Sequence, residues 1–128
     1  MKNDIRTHED IILLVDTFYG YVRKSPIIGF IFDEISKVDW SSHLPKMYDF
    51  WSSILLNEHK YRGNPMQVHL NLSTQTDMYQ FQYNEWLTLF HKTIDELFEG
   101  EIADEAKVRS SYIAENMLFN IIEYNGLD

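Results

Sequence analysis

The chain has 128 residues, of which 45% are hydrophobic and 15% aromatic, so we expect one folded domain spanning residues 1–128. It contains no cysteine, which excludes disulfides, thiolate chemistry and cysteine-ligated zinc or iron–sulfur sites. The formal net charge of −9 argues against a nucleic-acid partner. Because we find neither a signal-peptide pattern nor an apolar run of roughly 18 residues, we expect a cytoplasmic protein with no membrane partner.

Apolar residues recur at helical spacing in four long segments. The first covers about residues 9–24 and ends at Ser25-Pro26, where a helix cannot easily continue. The second begins near Ser41 or Ser42, either of which can cap it, and this start places Pro45 in the first turn.

The third segment covers about residues 77–99 before Gly100, and the fourth covers about residues 103–124. Between the second and third, a loop at residues 61–65 leads into a short helix that carries Met66 and His69. Since no segment shows convincing strand alternation, the sequence predicts an all-α fold.

Several familiar motifs are absent. The chain has no Glu-x-x-His pair of the di-iron bundles, no His-Glu-x-x-His zinc motif, no Gly-rich phosphate loop and no Gly-x-Ser-x-Gly elbow. The five histidines are the remaining candidates for chemistry. His8, His59 and His91 stand among polar neighbours, so we expect them in solvent.

His43 and His69 differ, because each occupies the apolar phase of its predicted helix. Each alone fits an ordinary core histidine, whereas together they can approach a flat slot from opposite sides. Flat and apolar side chains would line that slot: Phe32, Met47, Phe50, Trp51, Met66, Leu72, Trp86 and Phe90.

At these residues the sequence resembles the truncated haemoglobins, specifically the group III branch of the two-over-two globins. The resemblance covers about residues 10–120, and the order and spacing of its motifs are more specific than any one of them. The matching stretches are Phe18-Tyr19, Val22-Arg23-Lys24, Ile28-Gly29-Phe30-Ile31-Phe32, Trp40-Ser41-Ser42-His43, Asp49-Phe50-Trp51, Tyr61-Arg62-Gly63-Asn64-Pro65-Met66-Gln67-Val68-His69-Leu70 and Trp86-Leu87-Thr88-Leu89-Phe90.

The resemblance implies a two-over-two helical sandwich around haem b, with His69 as the proximal iron ligand. It implies that Tyr19, His43 and Trp86 are the distal polar residues, and that Phe32 packs on the porphyrin. Met47, Phe50 and Trp51 would line the distal wall, and we expect Tyr61 and Arg62 to meet the propionates, because a loop tyrosine and a cation suit carboxylates.

Such a pocket implies reversible binding of oxygen, nitric oxide or other diatomic ligands. Donors on Tyr19 and Trp86, with His43 as a further candidate, would hold oxygen tightly, which favours nitric-oxide dioxygenation or peroxide handling over bulk delivery. Since the chain has no flavin or nicotinamide motif, the electron donor would be separate, and we expect a monomer or weak oligomer. The alternatives are oxygen transport or sensing, His43 as a sixth iron ligand, and a haem-free helical interaction module.

Overall fold

The computed structural model describes residues 2–30, 39–56 and 80–125, with side chains to Glu115. These residues form four α-helices and no strand, which confirms the predicted all-α fold: α1 (His8–Lys24), α2 (Trp40–Leu56), α3 (Gln80–Leu97) and α4 (Glu101–Asn125). Within the described ranges, no helix is long and apolar enough to span a membrane.

Helix α1 has local signals at both ends. The Thr7 side chain accepts a hydrogen bond from the Asp10 amide, and the Asp10 carboxylate accepts one from the Thr7 amide, which is a reciprocal capping box. At the other end, the Ser25 amide donates to the Val22 carbonyl. The predicted end of this helix at Ser25-Pro26 is therefore confirmed.

Helix α2 begins earlier than the sequence predicts. The Asp39 carboxylate accepts hydrogen bonds from the amide and the hydroxyl of Ser41, so Asp39 is the cap and the helix starts at Trp40. The prediction of Ser41 or Ser42 as the cap was wrong, because an aspartate two residues upstream caps a helix as well as a serine does. Pro45 consequently lies in the second turn, where its missing N–H removes one backbone hydrogen bond.

Each helix packs against at least two others. Helix α1 packs against α2 and α3, α3 packs against α4, and α2 touches α4. The apolar residues that recur at helical spacing face a common core, since burial is the main source of stability for an amphipathic helix. The helices contribute these buried residues to the core: Ile11, Leu14, Val15, Phe18, Tyr19 and Val22 of α1, Met47, Trp51 and Leu55 of α2, Trp86, Phe90 and Ile94 of α3, and Ala103, Ala106 and Ala114 of α4.

The N-terminal segment is hydrogen-bonded to the start of α4, next to the turn between α3 and α4. Both carboxylate oxygens of Asp4 accept backbone hydrogen bonds at 2.9 Å, one from Ile102 and one from Ala103. Gly100 precedes these amides with φ +146°, and a Cβ at Gly100 would lie 2.5 Å from Cγ of Asp4. Asp4 thus caps α4 from a distant part of the chain, and only glycine fits beside it.

Candidate functional site

Three predicted site residues come from three different helices. Tyr19 of α1 is 5% exposed and Trp86 of α3 is 7% exposed, while His43 lies partly buried in the first turns of α2. Six other predicted site residues lie outside the described residues: Phe32, Tyr61, Arg62, Met66, His69 and Leu72.

Tyr19 and His43 are in direct contact. Their ring centroids are 5.2 Å apart with an interplanar angle of 80°, and Trp40 contacts both rings, at 5.3 Å from Tyr19 and 5.6 Å from His43. The packing of α1 on α2 brings these three rings together. Trp40 belongs to the matching stretch that contains His43, but we did not predict a role for it at the site, although its position three residues before His43 places both on one helix face.

The neighbouring Phe18 connects this group to α3. Its ring lies 4.8 Å from the Tyr19 ring and 5.5 Å from the Trp86 indole, which it meets edge to face. Consecutive residues of α1 therefore contact two different helices, with Tyr19 toward His43 and Phe18 toward Trp86. This pair of contacts is what brings the predicted distal residues into one region of the molecule.

Two nitrogen atoms of these residues are buried without a hydrogen-bond partner. Nε2 of His43 and Nε1 of Trp86 are the two such side-chain atoms in the part of the chain that the structure describes. An indole N–H can only donate, so it needs an acceptor, and leaving a buried polar group unsatisfied costs about 1–3 kcal/mol. Nε1 of Trp86 fits a ligand that brings an acceptor into the site, and Nε2 of His43 fits the same ligand when it carries the proton.

The imidazole of His43 is neutral at physiological pH. Burial, and after it the positive charge of Lys46, lowers the pKa of His43 from 6.5 to about 4. A neutral imidazole carries one N–H and one lone pair, and the tautomer decides which of them Nε2 presents.

The predicted wall residues lie beside this region. Met47 and Trp51 of α2 are buried, and Phe50 is partly buried with its ring 5.2 Å from that of Trp51. Phe90 of α3 is fully buried between two indoles, 4.7 Å from Trp51 and 5.7 Å from Trp86. Among the described contacts, Phe90 therefore packs in the aromatic core.

Two of the other histidines are not free in solvent. Nδ1 of His8 lies 2.9 Å from the hydroxyl of Ser52, and Nε2 of His91 lies 3.1 Å from the Lys107 carbonyl. Both side chains are partly buried, so our expectation of solvent exposure was wrong for them. Their partners belong to other helices, which sequence neighbours cannot reveal. His59 lies outside the described residues.

The described half of the site fits a haem with a small ligand. It offers large aromatic surface, which suits a flat group, and two unpartnered buried nitrogens, which suit a polar ligand atom.

Comparison with known proteins agrees with this geometry, although no family model matches the sequence. The chain is 30% identical over 129 aligned positions to a group 3 truncated haemoglobin of Campylobacter jejuni, covering 98% of this chain and 99% of the relative. The crystal structure of the group III truncated haemoglobin from Campylobacter jejuni matches with a TM-score of 0.82 at 30% identity, covering 97% of this chain and 98% of that one. The chain therefore belongs to the group III truncated haemoglobins, a family of globins that bind haem and small gaseous ligands.

Proposed function

We propose that the chain binds haem b through His69 and holds a diatomic ligand such as oxygen against donors on Tyr19, His43 and Trp86. The observation that carries the distal half of this proposal is the pair of buried, unpartnered nitrogens, Nε2 of His43 and Nε1 of Trp86. His69 comes from the sequence resemblance. In the same proposal Phe32 packs on the porphyrin, while Tyr61 and Arg62 meet the propionates.

Haem, when bound, supplies an iron atom with an open position for the ligand. The chain supplies the polar surroundings. The Trp86 indole can donate from Nε1, the Tyr19 phenol can donate from its hydroxyl, and neutral His43 can donate in the Nε2–H tautomer. Their positions depend on packed helices, so little has to reorganise when a ligand arrives.

These donors favour slow release of oxygen. A hydrogen bond to a charged acceptor contributes about 1.5–3 kcal/mol, and about 1.4 kcal/mol corresponds to a factor of ten in affinity. One such bond would therefore strengthen binding about ten- to a hundred-fold, mostly through the dissociation rate. Slow release suits redox chemistry, namely nitric-oxide or peroxide detoxification with a separate electron donor, better than oxygen delivery.

The proximal ligand is tested by absorption spectroscopy of haem-loaded protein. We expect His69→Ala to lose the five-coordinate deoxy-ferrous spectrum, because the imidazole that holds the iron is gone. His91→Ala is the matched control, since Nε2 of His91 already lies 3.1 Å from the Lys107 carbonyl. An unchanged spectrum in His69→Ala would refute the assignment.

The distal half is tested by oxygen dissociation from Trp86→Phe, which keeps an aromatic ring and removes Nε1–H. We expect release to accelerate about ten- to a hundred-fold, as a lost charge-assisted hydrogen bond requires. A rate equal to that of the wild type would exclude Trp86 as a donor. Nitric-oxide consumption by the oxygenated protein then tests the redox role, and unaltered nitric oxide would favour transport or sensing.

A further inference from the structure

Aromatic rings hold the imidazole of His43 on two sides. Its centroid lies 5.2 Å from that of the Tyr19 ring and 5.6 Å from that of Trp40, and both rings stand nearly perpendicular to it, at 80° and 79°. The Tyr19 and Trp40 rings are themselves 5.3 Å apart. Each of the three rings therefore contacts the other two, and rotation of the imidazole toward the Trp40 side requires that indole to move.

No hydrogen bond within the described residues fixes Nε2 of His43. That atom is buried without a partner. A hydrogen bond at one ring nitrogen commonly fixes the tautomer and the orientation of an imidazole. At Nε2 of His43, ring packing has to supply this restraint, so the direction in which Nε2 points depends on how firmly the neighbouring rings are held.

Helix α1 holds Trp40 through two residues. The ring of Tyr19 contacts the indole, and the guanidinium carbon of Arg23 lies 4.9 Å from the centre of the indole ring, where a cation is attracted to the aromatic face. Tyr19 and Arg23 are four residues apart and so lie on one face of α1. The indole is thus restrained from a second helix, although it lies only three residues before His43 in its own helix.

Trp40 also separates His43 from an open groove between α1 and α2. Tyr19, Gly20, Arg23 and Trp40 are among the residues that line this groove, whereas His43 does not line it. A Cβ added at Gly20 would have no atom within 4 Å, so the groove is open at this point. Because Trp40 lines the groove and also contacts His43, the loss of its indole would give the imidazole room to turn.

We propose that Trp40 is a positioning residue of the distal site, which holds the imidazole of His43 against Tyr19 and keeps Nε2 directed into the site. This inference rests on the proposed function, in which His43 is one of the donors to a bound ligand. Arg23 supports the role by restraining the indole. Trp40 acts on the ligand through His43, and a smaller side chain in its place lets the imidazole turn toward the groove.

The position of the imidazole is tested by NMR of the ferrous, carbon-monoxide-bound holoprotein, which is diamagnetic. The wild type should show nuclear Overhauser contacts between the ring protons of Tyr19 and His43. We expect Trp40→Ala to lose most of their intensity and Trp40→Phe, which keeps an aromatic ring, to retain them. Leu44→Ala is the matched control, because Leu44 follows His43 directly and lines the same groove. Undiminished Tyr19–His43 contacts in Trp40→Ala would overturn the proposal.

Contacts in the aromatic core report whether each variant is folded. The rings of Phe18 and Phe90 lie 4.9 Å apart, so they give their own Overhauser contacts. If Trp40→Ala loses these contacts as well, Trp40→Leu takes its place, because leucine keeps apolar bulk at the start of α2 without a flat ring. The same loss of Tyr19–His43 contacts is then expected.

Oxygen dissociation tests whether Trp40 acts through His43. We expect Trp40→Ala and His43→Phe each to release oxygen about tenfold faster than the wild type, as the loss of one hydrogen bond to a charged acceptor predicts. The double variant should release oxygen at the rate of His43→Phe, because the effects of two residues that act in series do not add. A double variant in which the two single effects multiply would overturn the positioning role.

Failure of the proposed function has a different signature. If His43→Phe releases oxygen at the rate of the wild type, His43 is not a donor to the ligand, and that part of the proposed function is wrong. The Tyr19–His43 contacts in Trp40→Ala still decide whether Trp40 positions the imidazole, because they do not depend on oxygen.

Discussion

The phenol ring of Tyr19 and the imidazole of His43 meet edge to face, with centroids 5.2 Å apart and planes at 80°. The two side chains belong to different helices, so this contact couples the spacing of α1 and α2 to the candidate distal site. Edge-to-face aromatic pairs contribute about 0.5–1.5 kcal/mol beyond the area that they bury. Variants at Tyr19 must therefore keep the ring if they are to isolate its hydroxyl.

Tyr19→Phe keeps the ring and removes the hydroxyl. If the hydroxyl donates to the bound ligand, oxygen dissociation should accelerate about ten- to a hundred-fold in stopped-flow measurements. Tyr21→Phe is a matched control on the same helix, because the Tyr21 hydroxyl donates to Glu96 at 2.6 Å. Equal dissociation rates in wild type and Tyr19→Phe would remove Tyr19 from the distal donors.

The burial of His43 makes stability depend on pH. Its pKa is about 4 in the folded protein against 6.5 as its ordinary value, so the unfolded chain binds more protons between these values. The contribution of neutral His43 to the free energy of unfolding is fully present above pH 6.5 and is lost as pH falls toward 4. At about 1.36 kcal/mol per pKa unit it is about 3 kcal/mol at most.

Urea unfolding of the apoprotein at pH 7 and pH 5 checks this expectation. The wild type should lose more unfolding free energy between these pH values than His43→Phe, which cannot titrate. An NMR titration should place the pKa of His43 well below 6.5. A pKa near 6.5 would show that the imidazole is solvated.

Phe90 is expected to be a major source of stability. Its ring is fully buried, stacks on Trp51 and Trp86, and meets Phe18 edge to face at 4.9 Å. Phe90→Ala should lower the unfolding free energy by about 3–5 kcal/mol through lost burial and a cavity. Phe81→Ala on the same helix should change it far less, because Phe81 is 58% exposed. Comparable losses of unfolding free energy in Phe90→Ala and Phe81→Ala, measured by chemical denaturation, would contradict this packing.

Asp4 is expected to stabilise α4 as its cap. Partial burial alone would raise the pKa of Asp4, but backbone hydrogen bonds from Ile102 and Ala103 outweigh it and lower the pKa. Asp4→Ala should cost about 0.5–2 kcal/mol at pH 7. A carboxyl with a lowered folded pKa stabilises above its unfolded value, so the difference from wild type should shrink as pH falls below about 4.

The unfolding free energies of Asp4→Ala and wild type at pH 7 and pH 3 check both the size of the loss and its dependence on pH. Asp104→Ala, in the first turn of α4, provides a control for the loss of one negative charge near the start of that helix. If the two variants lose equal stability at pH 7, the backbone hydrogen bonds of Asp4 contribute nothing measurable.

Gly100 and Gly20 form a matched pair of glycine positions. Gly100→Ala should lower the melting temperature, because φ +146° is strained for alanine by about 1–3 kcal/mol and its Cβ would collide with Asp4. Gly20→Ala should be neutral or stabilising by up to about 1 kcal/mol, since it lies within a helix and its Cβ has no neighbour within 4 Å. Thermal unfolding distinguishes the two variants. A larger loss of melting temperature in Gly20→Ala than in Gly100→Ala would contradict the described turn between α3 and α4.

Much of the fold was predictable from local patterns. The helical spacing of apolar residues places Phe18 and Tyr19 on the inward face of α1, and Trp86 and Phe90 on that of α3, because 3.6 residues per turn repeat one helix face along the sequence. Capping was harder to predict, since Asp39, Ser41 and Ser42 are all good caps and only the backbone hydrogen bonds select Asp39.

The histidines show the limit of such reasoning. The neighbours of His8 and His91 in sequence are polar, which predicted exposure to solvent. Instead, a ring nitrogen of His8 is hydrogen-bonded to Ser52 and one of His91 to the Lys107 carbonyl, and both partners lie on other helices. Burial of a side chain depends on what packs over it, and that partner can be dozens of residues away.

By itself, the sequence determined the helices, their inward faces and the family resemblance that singles out His69. Only the tertiary structure decided that Tyr19 meets His43, that Phe18 joins them to Trp86, and that Nε2 of His43 and Nε1 of Trp86 are buried without partners. The physical reason is that helix periodicity is a local property of the chain. Hydrogen-bond satisfaction and side-chain contact depend on how separate helices pack, which no single segment encodes.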